Sequence, residues 1–455
     1  MGRSYPFIAQ NIVLPIYDIA RRTSRFKFSH FLEKTQWLSR KEIDRLQNEN
    51  LRALLKHACD TVPYYRRVFR ERGLSPSDIK SIDDLVKLPI LTKADVRNNF
   101  GDLISRGFPK NRLISYQSGG TGDPIKFYIT KEQFSWEVAA EFRAYGWAGY
   151  RLGNRCLMFW GSPIDLARHA GIIKRFTSRL ERVLVLNTFV VSDEVLHVNL
   201  MRKFNPEIIR GYASSVYIMA KYMLEKNIDY VHPRAVITSA EMLLDYMRKT
   251  IEEAFGCPVF DYYGSREIGA IAAECEMHSG YHISAENVVL EFVRDDEHVE
   301  ADEDGVILVT SLRNFGMPLI RYAIGDVGRP SDDVCNCGRG LPLMSSMKGR
   351  ASQFMAIYDK QLKRIVPVST FFPTILMHVP IESYRIIQES LDHVIIKAVK
   401  GKGYSQRNTD FIIRHVHKFL GDNITVEVEL VDYLPPLPSG KRSVFISKIN
   451  PFEQH

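Results

Sequence analysis

The chain has 455 residues, 45% of them hydrophobic and 25% charged. That is a globular composition, which excludes a disordered or fibrous protein and suits a large domain plus a smaller one. The net charge of +8 is spread along the chain with no Lys/Arg block, arguing against nucleic acid and for other anionic partners such as a small phosphorylated molecule or a membrane surface.

Taken in chain order, the first feature is an apolar stretch from Ile8 to Ala20, broken by Gln10, Asn11, Pro15 and Asp18 and followed by Arg21, Arg22, Arg25 and Lys27. It is too short and polar to span a bilayer, and it has no small-residue cleavage site. Two readings stay open: packing on the body of the protein, the commoner fate of such a segment, or a foot on a membrane surface. The start Met1-Gly2-Arg3-Ser4-Tyr5-Pro6 lacks the hydroxyl residue that a myristoylation signal requires.

From Lys41 to about Arg72 apolar residues recur at helical spacing, with a break predicted at Pro63 and a stop at Gly73. Ser and Asp caps then predict a short helix ending before Pro89. The middle of the chain alternates β-rich runs with helices. "CLMFW" (156–160), "VLVLNTFVV" (183–191), "IIRGY" (208–212), "AVITSAE" (235–241) and "GVILVTSL" (305–312) read as strands, and Val216 to Lys226 and Leu244 to Phe255 as helices. "LIRYAIGDVGR" (319–329) carries the sheet into a loop. This alternation predicts an α/β fold with largely parallel strands.

After Gly349 the texture changes. "YRIIQE", "HVIIKAV", a helix from about Asn408 to Leu420 and "ITVEVELVDYL" predict a small α+β unit. The expected division is therefore 1–349, a large N-terminal α/β domain, and 350–455, a small mobile C-terminal domain.

"YQSGGTGDPIKFY" (116–128) is the first segment that suggests chemistry. The small residues Ser118, Gly119, Gly120, Thr121 and Gly122 let backbone N–H groups close around an anion. No Gly-Lys-Ser/Thr follows at Walker spacing, and a glycine-rich turn alone is usually just a turn. This segment resembles the phosphate loop of adenylate-forming enzymes, from whose pattern Gln117 and Gly120 depart. "ITSAEML" (237–243) resembles that family's adenine-binding stretch, and "DYYGSREIG" (261–269) its aromatic-Gly-x-x-Glu motif. "GMPLIRYAIGDVGR" (316–329) matches Arg-Tyr-x-x-Gly-Asp, "MKGR" (347–350) the Gly-Arg before the hinge, and "LPPLPSGKRSVFISK" (434–448) the C-terminal Gly-Lys motif. The six motifs stand in the family's order over most of the chain. "HACDTVPYYRRVF" and "LVKLPILTKADVRNNF" resemble the phenylacetate–coenzyme A ligase branch, especially relatives associated with capsule biosynthesis.

The resemblance implies ATP-dependent activation of a carboxylic acid as its acyl-adenylate, then acyl transfer, with coenzyme A as the expected acceptor. An amine, a sugar or a carrier-protein thiol is the alternative. It implies that Ser118 to Gly122 embrace the leaving pyrophosphate and that Glu267 holds Mg2+, a hard cation on a hard oxygen ligand. Asp326 would accept from the ribose hydroxyls, and Arg350, or less closely Arg321, would position ribose and phosphate. Tyr262 or Tyr263 would pack on adenine, and Ser239, Ala240 and Glu241 would line its edge. Lys441 would bridge the attacking carboxylate and the α-phosphate. Phe159, Trp160, Tyr212, Ala213 and Ser214 fall where the acyl pocket is expected; their apolar character suits an aryl or alkyl acid, or equally a core. Two positions after Gly-Arg, where the family commonly carries an acid, stands Ser352.

Six cysteines at 59, 156, 257, 275, 335 and 337 are too few and scattered for a disulfide scaffold and predict a reduced, cytoplasmic protein. "ECEMHSGYHI" and "DDVCNCGRGLP" bring Cys275, His282, Cys335 and Cys337 into a constellation sufficient for a closed, structural Zn2+ site. His278 is the competing imidazole, and free thiols beside an apolar strand are the plain alternative.

Overall fold

The computed structural model describes residues 5–117, 125–160, 178–187, 194–350, 354–359, 362–367, 372, 375–376, 378–421, 423–435 and 445–448. Two compact units account for the chain: residues 1–324 with 328–347, and residues 348–455 with 325–327.

In the first unit, local chemistry sets the helices before the sheet. Ser39 caps Arg40–Thr61 reciprocally with Glu42, and Val62, extended as a residue before proline must be, ends it. Pro63 then opens Pro63–Glu71 at the one position where its missing N–H costs nothing. Leu51, Leu54, Leu55 and Ala58 make the buried stripe of the longer helix. Each leucine so buried contributes about 1.5–3 kcal/mol.

Strands β1 (Leu113–Gln117) and β2 (Lys126–Thr130) form an antiparallel pair and lead into the helix Lys131–Trp147. The remaining strands of this part are β3 (Cys156–Trp160), β4 (Val183–Asn187), β5 (Ile208–Tyr212), β6 (Ala235–Ser239), β7 (Val259–Ser265), β8 (Gly269–Glu274), β9 (Tyr281–Ile283), β10 (Val288–Arg294), β11 (Glu297–His298), β12 (Gly305–Ser311), β13 (Tyr322–Ser331) and β14 (Leu343–Arg350). They form one sheet in the order β11-β10-β12-β13-β14-β9-β8-β7-β6-β5-β3-β4.

Within this sheet the parallel character expected from the sequence is seen from β4 to β7. From β7 onward the pairings at β7–β8, β8–β9, β9–β14 and β10–β12 are antiparallel. The reason lies in the connections. β5, β6 and β7 are joined by helices Ala213–Glu225 and Asp245–Phe255, whereas β7, β8 and β9 are joined by short turns that reverse the chain. Those two helices bury Val216, Met219, Ala220, Met223, Ile251 and Phe255 against the parallel strands.

In the second unit, β15 (Phe354–Asp359) pairs with β16 (Leu362–Pro367), and a four-stranded sheet follows in the order β19 (Thr425–Val431), β18 (His393–Lys400), β17 (Ile381–Ser390), β20 (Phe445–Ser447). Helix Gln406–Leu420 buries Ile412, Val416 and Leu420 in one core with Ile386, Val394 and Ile396. Among the described residues no helix is long and apolar enough to cross a membrane.

Candidate active site

The parallel strands bring four of the sequence-predicted residues into one row. Register pairs Tyr212 on β5 with Ser239 on β6, and Ser239 with Tyr262 on β7. Trp160, the last residue of β3, follows Phe159, which lies opposite Gly211, and its ring sits 4.6 Å from that of Tyr212. The row therefore runs along the carboxyl ends of β3, β5 and β6 and onto β7. That edge is where open α/β sheets bind ligands, because the strands end there and the following loops diverge.

Close packing holds the row. A Cβ at Gly211 would lie 2.7 Å from that of Phe159, so only glycine lets β5 approach β3 this closely. Phe159, Tyr212 and Ala213 are buried, while Trp160 and Ser214 are half-buried and face partly open space. The Phe159 ring serves the core, as its apolar character allowed.

Behind Ser239 the chain turns through Ala240, whose φ of +67° places a non-glycine residue in the left-handed region. Such a conformation costs about 1–2 kcal/mol and persists only where the surroundings impose it. Glu241 helps impose it: its Oε2 accepts from the Ser214 backbone N–H at 3.0 Å, at the start of helix Ala213–Glu225. A carboxylate at that helix end meets unpaired N–H groups. One side chain thus ties the expected adenine stretch to the expected acyl pocket. Its Oε1 is buried with no hydrogen-bond partner among the described residues.

Glu267 stands in the turn between β7 and β8, where Ile268 N–H bonds the Ser265 hydroxyl. It is buried, yet no ion pair or hydrogen bond to its carboxylate occurs among the described residues. A carboxylate that the described residues leave unengaged is a hard oxygen ligand open to a hard cation, so this residue fits a magnesium ligand. Gly269, two residues on, has φ +84°, and a Cβ there would come within 2.3 Å of the Glu137 side chain. Tyr262 is half-buried and packs its ring 5.2 Å from Tyr145, whereas Tyr263 is buried in the main core. Of the two tyrosines, Tyr262 alone stands in the row.

A polar cluster behind this edge escaped the sequence reading. Arg210 bonds Glu141 at 2.9 Å and the Tyr145 hydroxyl at 2.6 Å, with its guanidinium 3.8 Å above the Tyr145 ring. One turn back on the same helix, burial pushes the Glu137 carboxyl up to about 8 although Gln133 donates to it. Arg210 and Glu141 are 69 positions apart and belong to no motif; helical spacing of Glu137, Glu141 and Tyr145 was the only available signal.

Asp326 is half-buried on β13. Arg321, the weaker phosphate candidate, is committed elsewhere: it is buried, ion-paired to Glu291 at 3.0 Å and bonded to the Leu88 carbonyl. Arg350 ends β14, and its side chain lies outside the described residues. So do Ser118, Gly119, Gly120, Thr121, Gly122, Ser352 and Lys441.

The Cys/His constellation assembles. The donor atoms of Cys275, His282, Cys335 and Cys337 lie within 4.8 Å of one another. Cys275 Sγ and Cys335 Sγ are 3.6 Å apart, and Cys337 Sγ is 3.2 Å from His282 Nε2. A tetrahedron with zinc–sulfur bonds of about 2.3 Å and zinc–nitrogen bonds of about 2.0 Å needs edges of about 3.8 and 3.5 Å, close to these two separations. All six cysteines are free thiols. Burial lowers His282 to about 4, keeping the imidazole neutral and able to coordinate, and raises the Cys275 thiol to about 12. Burial would raise Cys335 too, but hydrogen bonds from Ser279 and the Cys337 backbone win and hold it below the usual thiol range. His278, the alternative ligand, instead bonds Glu274 at 3.3 Å and packs on Phe260. Trp147 lies against His282, and Arg339 joins Glu276 and Gln36 around the cluster.

Comparison with known proteins fits this geometry. Residues 358–448 match the model of the CapK C-terminal domain. The chain is 25% identical to protein CapK of Staphylococcus aureus over 451 residues, 98% of either chain. It is 26% identical to a phenylacetate–coenzyme A ligase of Thermus thermophilus over 333 residues, 70% of this chain and 73% of that one. A crystal structure of 2-hydroxyisobutyryl-CoA ligase in the postadenylation state superposes with a TM-score of 0.71 at 19% identity, covering 91% of this chain and 92% of that one. The chain is thus a homologue of CapK and of phenylacetate–coenzyme A ligases, and its fold is that of adenylate-forming ligases.

Proposed function

We propose that this chain is an AMP-forming acid–coenzyme A ligase that uses the row from Trp160 to Tyr262 to hold an acid against ATP. A carboxylate oxygen attacks the α-phosphorus, the bond to the bridging oxygen breaks, and pyrophosphate leaves. The acceptor thiol then attacks the acyl carbonyl and AMP departs. Both reactants of the first step are anions, so the site must screen charge while aligning them. Magnesium, when bound, supplies such screening, and Glu267 is the residue that would hold it. Tyr262 stacks the adenine, the imposed turn Ser239–Glu241 presents backbone groups to its edge, and Asp326 accepts from the ribose. Trp160, Tyr212 and Ser214 line the acyl pocket. Ser118 to Gly122, Arg350 and Lys441 complete the site by resemblance. The single observation that carries this reading is the row itself: Tyr212, Ser239 and Tyr262 in register on three neighbouring strands, with the Trp160 ring beside Tyr212, at the carboxyl edge of the parallel strands.

A second acceptor is favoured by one residue. Ser352 stands where related ligases commonly carry an acid, and without that charge the swivel that admits coenzyme A is in question. An amine, sugar or carrier thiol would then take the acyl group. Mass spectrometry of products formed with coenzyme A supplied or withheld distinguishes them. An acyl-CoA only when coenzyme A is present supports the ligase; accumulation of acyl-adenylate under both conditions supports the other acceptor. We further propose that Cys275, His282, Cys335 and Cys337 hold a structural Zn2+ with no open coordination position.

A further inference from the structure

The helix Tyr5–Arg21 is apolar on two faces. It runs as α (Tyr5–Ile8), π (Ala9–Val13) and α (Leu14–Arg21), and it buries Pro6, Ala9, Leu14 and Asp18. Asp18, the helix's one acid, is used up internally. Its carboxylate accepts from Arg25 Nε at 2.8 Å, the Thr23 hydroxyl at 2.7 Å and the Phe26 N–H at 2.8 Å. The opposite face should be polar if water were its natural neighbour. Instead it presents Phe7, Ile8, Ile12, Ile16 and Ile19, with Phe7 68%, Ile16 62% and Ile19 80% exposed. From Ile8 the steps are four, four and three, one continuous stripe. Phe7 also lines a cavity of about 430 Å³ together with the exposed Trp37, which follows the next helix, Arg25–Thr35, and that cavity mixes apolar with polar side chains such as Asn11, Glu33 and Arg339.

Charge borders this stripe on one sign. Arg21 and Arg22 stand exposed at the end of this helix, Lys27 and Lys34 are exposed on the next one, Arg25–Thr35, and Glu33 is the only exposed acid between residues 5 and 34. Two copies facing each other through the stripe would bring these cations together, which disfavours a dimer. An anionic headgroup layer complements them, and its acyl boundary accepts the isoleucines.

We propose that helix Tyr5–Arg21 lies in the interfacial plane of an anionic lipid bilayer. The isoleucine stripe enters the acyl boundary, and Arg21, Arg22, Lys27 and Lys34 meet the headgroup phosphates. The contact is peripheral and does not depend on the reaction proposed above. The test is co-sedimentation of the full chain with phosphatidylcholine vesicles containing about one-third phosphatidylglycerol, against pure phosphatidylcholine, at low and high salt. The wild type should bind the anionic vesicles, more weakly at high salt. Ile12→Glu/Ile16→Glu, and the uncharged Ile16→Ser/Ile19→Ser, should each weaken binding about tenfold or more with unchanged melting and unchanged pyrophosphate exchange. Arg21→Glu/Arg22→Glu should abolish the preference for anionic over neutral vesicles. Failure of the wild type to sediment with either vesicle overturns the proposal, as does binding indifferent to all three variants. A dimer in solution that Ile12→Glu/Ile16→Glu turns into a monomer, without vesicle binding, would assign the stripe to a second copy.

Discussion

Buried carboxylates in two regions of the first unit have opposite surroundings. In the core between helix Lys131–Trp147 and the loop before β10, Glu286 is fully enclosed and fully answered: Arg143 meets it at 2.6 and 3.1 Å and Thr35 at 2.6 Å. At the carboxyl edge of the parallel strands, Glu267 is buried with no partner among the described residues, and Glu241 leaves one oxygen unanswered. Folding alone explains the first arrangement. The second leaves carboxylate oxygens that no described residue engages, open to a group that is not part of the chain.

The sharpest way to break that contrast is to remove the answer to Glu286. Arg143→Leu should destabilise the protein by about 3–5 kcal/mol, because it strands a charge inside. The pH dependence follows from the shift. Arg143 holds the Glu286 carboxyl below its ordinary value, so the wild type keeps this contribution above the usual carboxylate range and loses it only as pH falls through the lowered value. In the variant the stranded carboxyl is raised instead, so its penalty should grow from pH 5 to pH 8. Denaturant melts at both pH values check this; a gap that is constant with pH would mean the pair is not the source.

Lys441→Ala tests the other side. It should slow acyl-adenylate formation about a hundredfold or more, since its charge is needed while two anions approach, yet spare turnover of a supplied acyl-adenylate. Equal loss in both half-reactions, followed by stopped-flow, would show general damage instead.

The Cys/His cluster is a third kind of region, one that the proposed zinc ion would answer. Purified protein should carry about one zinc per chain. Cys335→Ser/Cys337→Ser should lose it together with several degrees of melting temperature, while the activity of the folded fraction persists. Protein free of zinc after growth in zinc-replete medium, with melting indifferent to added zinc, would reduce the four residues to neighbours.

The smallest effect concerns Ala240. Glycine accepts φ +67° freely, so Ala240→Gly should raise stability by at most about 1 kcal/mol, read by calorimetry. A loss would mean the methyl group packs usefully in the turn.

Much of this was legible in the sequence, for identifiable reasons. β3, β5 and β6 are short runs bounded by turns, and their ends were read correctly to within two residues. Cys275, His282, Cys335 and Cys337 share a chemistry that can be recognised without coordinates. The antiparallel half of the sheet was not legible, because strand direction depends on tertiary pairing that local pattern does not record. Arg210 with Glu141 was missed for the same reason. Glu241 was expected only to line the adenine edge, but the start of helix Ala213–Glu225 lay three residues earlier than periodicity suggested, and the Ser214 N–H took its side chain.

The most direct test of the central claim is acid-dependent ATP–pyrophosphate exchange over a panel of carboxylic acids, run on the wild type and Glu267→Gln with their melting curves. The wild type should exchange with at least one acid. The variant should lose about a hundredfold or more while melting no lower than the wild type, because its buried charge was never answered from within the chain. Near-normal exchange by Glu267→Gln at limiting magnesium, or a large loss of stability in place of activity, would contradict the account.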